Sequence, residues 1–113
     1  MPHPIGGRWR VSEMELWDQD VIDLMGPGYF YFGSTNKSSK FQFIAVEGFM
    51  DCRFSERDGV PAVEFSWEGN DEMDPASGRG WAVLESGVLK GRIFFHRGDD
   101  SGFTAVPMKR EEG

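Results

Sequence analysis

Glu64, Ser66 and Glu68 stand at alternate positions in the stretch VEFSWEG, and Asp51 and Arg53 are spaced the same way in FMDCRF. On an extended strand, residues two apart share a face. Two carboxylates held together this way are the equipment of general acid–base catalysis, as in glycoside hydrolysis, provided that one is desolvated so that its pKa rises. His96, at the end of VLKGRIFFH, can join them from a later strand. The competing reading is a wet outer face, the default for an antiparallel sheet, in which Arg53 and Glu64 form a surface ion pair worth about 0.2–1 kcal/mol. Ile44, Val46 and Phe49, expected on the same face, imply that it is partly covered by a helix, a partner subunit or a ligand.

Other constellations carry less. Asn70, Asp71, Glu72 and Asp74, beside Glu68, place hard oxygen ligands in what reads as a long loop from Gly69 to Gly78, but their spacing matches no EF-hand pattern. Asp99-Asp100 reads as a turn. Cys52 falls between Phe43 and Phe65 on an apolar face and reads as a buried, inert thiol. His3 and His96 are placed too differently to share zinc. There is no Ser/His/Asp arrangement, phosphate loop or dinucleotide fingerprint, so no catalytic residue, metal or cofactor is assigned. The rings of Trp9, Trp17, Tyr29, Tyr31, Trp67 and Trp81 either fill a core or line a pocket, and Tyr29 and Tyr31 lie on a strand aromatic on both faces, one of which needs cover.

The bulk numbers bound these options. The chain has 113 residues, enough for one domain that buries roughly two-thirds of its unfolded surface. A net charge of -7 argues against nucleic acid and against anionic membrane surfaces. Positive charge is concentrated only at Lys37 and Lys40 and at Lys109-Arg110. The single cysteine, the lack of an apolar leader in MPHPIGGRW and the lack of a ~20-residue apolar run fit a soluble, cytoplasmic protein.

Ten phenylalanines, four tryptophans and fifteen glycines suit short strands joined by tight turns. Residues 1–6 read as a flexible tail, 7–107 as one β-barrel domain and 108–113 as a polar tail. The first strand runs from Gly7 to Trp17. A helix of about two turns follows, with Asp18 as cap, Val21, Ile22, Leu24 and Met25 as apolar contacts and Gly26-Pro27 as its stop. The expected turns are Glu47-Gly48, Asp58-Gly59 and Ser86-Gly87. The first two place Phe41 opposite Phe54 and Phe54 opposite Val63, which gathers nine apolar residues on one face. The other face then sets Arg53 opposite Glu64, and the last hairpin sets Trp81 opposite Arg92, within reach of a cation–π contact. The count is about eight strands in an all-β, antiparallel meander closed into a barrel.

Gly7-Arg8-Trp9 opening a long first strand, a short helical turn and an antiparallel meander together resemble the calycin group, the lipocalins and smaller lipocalin-like barrels. More loosely, the whole chain resembles small uncharacterised bacterial domains of that type. The resemblance implies that Trp9 closes one end of the barrel under a basic residue from the last strands, Arg97 or Arg92. It also implies a lumen that holds a small apolar ligand.

The first-ranked expectation is a non-catalytic binding module for a small molecule or a protein partner, self-associating as a homo-oligomer. Its candidate ligand-binding residues are Asp51, Arg53, Glu64, Ser66, Glu68, Trp81 and His96. The alternatives are a carboxylate-based hydrolase or isomerase using Glu64, Glu68 and Asp51 with Arg53, and an acidic regulatory domain that binds a basic protein.

Overall fold

A computed structural model describes residues 3–33 and 38–108. Eight strands follow one another: β1 (Gly7–Met14), β2 (Tyr29–Phe32), β3 (Lys40–Phe43), β4 (Val46–Arg57), β5 (Val60–Asp71), β6 (Asp74–Glu85), β7 (Val88–Phe95) and β8 (Asp100–Pro107), with the single turn of α1 (Gln19–Ile22) between the first two. Each strand pairs antiparallel with the next, and β8 returns to β1, so the meander closes into a barrel with no free edge. Among the described residues no helix is long and apolar enough to cross a membrane.

Strict alternation decides which way each strand faces. Along β4 the burial follows period two, with Val46, Gly48, Met50 and Cys52 buried and Glu47, Phe49, Asp51 and Arg53 exposed. Asp58-Gly59 and Ser86-Gly87 form two-residue hairpins, with positive φ at both central residues of each, the type I′ signature that suits the right-handed twist of the strands. Phe54 faces Val63, Cys52 faces Phe65 and Met50 faces Trp67, in the register expected from the Asp58-Gly59 turn. The interior is packed with rings. Phe30 has the rings of Phe32, Phe41, Phe43, Phe65 and Phe103 within 6.4 Å of its centroid, the closest, Phe103, at 4.6 Å. The Trp67 ring meets Phe41 edge-on at 5.0 Å.

The turn expected at Glu47-Gly48 moves. Residues 44–45, not Glu47-Gly48, join β3 to β4, so Phe41 faces Gly48 instead of Phe54, and Phe43 faces Val46. Gly48 serves as space: a Cβ there would collide with the Phe41 and Trp67 rings. The tip is held from outside, because Ile44 N–H donates to the Ile22 carbonyl at 2.7 Å and Glu72 N–H to the Ala45 carbonyl at 3.1 Å, while Ile44 accepts a φ of 56°. The slip is six residues (54 to 48), an even number, so the faces of Phe41, Phe43, Met50, Cys52 and Phe54 survive it. Val46 does not survive it, and turns inward to the core.

Four further expectations change. The long acidic loop is a hairpin: β5 and β6 pair from Asp71–Asp74 to Ala62–Val83 around a turn at Glu72-Met73. The first strand stops at Met14, three residues early, after a bulge between Val11 and Glu13. The helix is half the expected length, and of its apolar residues only Ile22 is buried, while Leu24 and Met25 are 62% and 65% exposed. The stretch 3–6 is anchored: Ile5 is fully buried, its carbonyl accepts from Trp9 Nε1 at 2.7 Å, and the His3 ring lies tilted against Phe54 at 4.8 Å. Lys37, Lys109 and Arg110 lie outside the described residues.

Asp23 ties the segment after α1 to the barrel. Its carboxylate accepts from both terminal nitrogens of Arg10 on β1 (2.8 and 3.1 Å), from Gln19 Nε2 (3.0 Å) and from Gly28 N–H (2.9 Å). Burial alone would push this carboxyl up; the bonds from Arg10, Gln19 and Gly28 outweigh it and hold its pKa below the ordinary 3.8. A folded pKa below the unfolded one means that the stabilisation is complete above about pH 5 and is lost on acidification through the folded value. D23N should therefore cost about 1–2 kcal/mol in urea unfolding at pH 7. Its stability should fall less steeply than that of the wild type between about pH 4 and pH 2.

Candidate functional site

The polar side of the β4–β7 sheet is the outer wall of the barrel, and it is concave there. β6 carries Gly78 and Gly80 on its inward side, opposite Trp67 and Phe65 of β5. A Cβ on Gly80 would collide with the Phe65 ring, and one on Gly78 would collide with the Phe94 carbonyl and lie 2.8 Å from Trp67 Nε1. The missing side chains let β6 close down on the core rings. The Trp67 indole reaches through to donate to the Phe94 carbonyl of β7 at 3.3 Å.

Over this floor lies a depression of about 740 Å³. Asp51, Arg53, Glu64, Ser66, Trp81 and His96, six of the seven candidate ligand-binding residues, line it. The seventh, Glu68, lines an adjoining depression of about 490 Å³ that shares Asp51, Ser66, Arg79 and His96 with the first. Seven lining residues were absent from the sequence-based set: the buried or half-buried Phe65, Gly78, Gly80 and Phe95, and the exposed Arg57, Arg79 and Phe94. Arg79 was legible in principle, two residues before Trp81 in GRGW. Reading 69–78 as a loop concealed that the hairpin sets it opposite Ser66.

The charges pair differently from the expectation. Arg53 does face Glu64 across the ladder, but it donates to Asp51 on its own strand at 3.1 Å. Glu64 accepts from Arg57 at 3.3 Å, and the Arg57 guanidinium also sits 5.9 Å from the centre of the Trp81 ring. Long side chains on a twisted sheet reach diagonal partners as easily as opposite ones. Trp81 faces Arg92 as expected, yet no cation–π contact forms, because Arg92 is drawn to Asp100 and, at 3.0 Å, to Glu15. Those bonds, Asp100 first, hold Arg92 more firmly protonated. Arg79 has no ion-pair or side-chain hydrogen-bond partner among the described residues.

Other candidates lie elsewhere. Trp9 is buried and faces Phe30 and Pro107, while Arg97 sits in the turn after β7 next to the Phe94–Asp100 pair, at the opposite end of β8. Arg97 therefore does not cover Trp9; Ile5 does. Tyr29 and Tyr31 find their cover in Arg8, whose guanidinium lies 5.5 Å from both ring centres. Cys52 is buried, and that burial pushes its thiol up, away from nucleophilic character. Among the described residues no cluster of His, Cys, Asp and Glu has a geometry for a metal ion.

Substitutions separate the floor of the wall from its rim. G80V drives a branched side chain into Phe65 and should cost about 2–3 kcal/mol in chemical denaturation. R53A removes only an exposed ion pair and should change stability by less than about 0.5 kcal/mol. Comparison of the chain with protein-family models, with curated proteins and with solved structures returns no match.

Proposed function

We propose that this chain is a non-catalytic binding module, lipocalin-like in its strand order, that takes its ligand on the outer wall of β4–β7 and not in the lumen. The observation that carries this reading is where the exposed rings sit. Of the ten phenylalanines, six are buried in the barrel and two pack against that core, while the remaining two, Phe49 and Phe94, are 53% and 38% exposed and both line the outer depressions. Half-buried Trp81 joins them. An apolar surface rimmed by hydrogen-bonding groups is what a ligand site requires.

The lumen offers a different environment. Its space is occupied by stacked and edge-on rings at ordinary contact distances, as expected for an eight-stranded barrel filled by its own side chains. The hydrolase reading needs a carboxyl shielded from water. Asp51 and Glu64 are 54% and 65% exposed and each is paired with an arginine, so neither is shielded.

Amide and indole chemical shifts of the full chain, followed during titration with a library of small aromatic ligands, test this reading. Perturbations should gather at 51–53, 64–66 and 79–81 and at the Trp81 indole N–H. W81A should weaken each hit about tenfold, equivalent to about 1.4 kcal/mol. Perturbations centred on Phe30, Phe41 and Phe103 would place the ligand inside the barrel and overturn the outer-wall site.

A further inference from the structure

We infer that the ligand of the outer wall carries an anionic group, of the carboxylate type, on a flat apolar body, with the anion held by Arg79 and the body laid against Trp81 and Phe94. The inference rests on the proposed outer-wall site and adds the chemical class of its occupant.

Three arginines, Arg53, Arg57 and Arg79, line the larger depression with two carboxylates, Asp51 and Glu64. Each carboxylate is taken up by one arginine, Asp51 by Arg53 and Glu64 by Arg57. Arg79 is left over, in a chain whose acidic residues outnumber its basic ones by 19 to 12. A cationic spot on an acidic surface concentrates anions locally. A guanidinium meets a carboxylate through two parallel N–H bonds, a geometry that a neutral oxygen satisfies only in part.

The apolar half of the site follows from the register. Arg79 has Phe94 directly beside it on β7, and Trp81 is two residues along β6 on the same outward face. Anion and ring contacts are therefore one strand spacing apart, about 5–7 Å, the span of a small aromatic acid. Ser66, on the other side of Arg79, offers a hydroxyl to the second carboxylate oxygen or to a ring substituent. Arg57, already over Trp81, closes the far side of the ring site.

The probes are 2-naphthoate and its neutral counterpart 2-naphthylmethanol, titrated into the full chain and followed by the same chemical shifts. For the wild type the acid should bind about tenfold tighter than the alcohol, with shifts at 64–66 and 79–81. R79M keeps the apolar stem, and with it the difference should shrink to about twofold. K90M, which removes a cation outside the depression, should leave the tenfold difference intact. Melting curves establish that both variants fold. Equal binding of the two probes to wild type, or an undiminished difference in R79M, overturns the anionic assignment while the outer-wall site stands. Absence of any shift at 64–66 and 79–81 with both probes removes the site and the inference together.

Discussion

Six buried phenylalanine rings and the Trp67 indole must share the inside of a barrel only eight strands around, and that packing constraint shapes the rest of the molecule. Rings of this size leave no room for side chains directly opposite them at every level. The strands answer with glycine where the rings are largest: Gly48 beside Phe41 and Trp67, Gly80 beside Phe65, and Gly78 beside the Trp67 nitrogen. Dispersion contacts in so dense an interior are individually small and collectively decisive, which is why exchange of one atom-sized gap for a methyl group propagates into the backbone.

The outer surface inherits its shape from this interior. Where β6 loses its inward side chains it draws down on the core, and the wall above it becomes concave. The depression is thus a by-product of core packing that then gains chemistry from the opposite parity of the same strands. Residues 64, 66 and 68 alternate with 63, 65 and 67; the first set lines the wall and the second fills the barrel. A site placed on long strands is held by their ladders, since β4, β5 and β6 are each twelve residues long and β5 is paired with β4 along its whole length and with β6 from Ala62 to Asp71.

Electrostatics work locally on this scaffold. Asp23 anchors the segment after α1 through four donors, two of them from Arg10 on β1, Arg92 joins β7 to β8 and to Glu15, and Arg8 shields two tyrosines. Of the arginines whose side chains find a carboxylate, Arg10 and Arg92 tie separate segments together, while Arg53 and Arg57 hold exposed pairs on the outer wall. The one on β6 that finds none, Arg79, is the residue on which the anion preference inferred for the wall rests.

Class, strand count, the inward facing of Phe41, Phe43, Met50, Cys52, Phe54, Val63, Phe65 and Trp67 and the Asp58-Gly59 and Ser86-Gly87 turns were determined by sequence alone, because period-two alternation and positive-φ turn residues are local properties. The same alternation put Asp51, Arg53, Glu64, Ser66 and Glu68 on one face, and parity protected that grouping even when β3 slid by six residues. Only the tertiary structure decided where β3 turns, which carboxylate each arginine takes, that residues 69–78 form a hairpin and that Ile5 covers Trp9. Each of these depends on atoms distant in the chain: the Ile22 carbonyl under Ile44, the Phe41 ring against Gly48, the reach of Arg57 along a twisted ladder. Such contacts have no local signature, since the energy that selects them exists only once the barrel has closed.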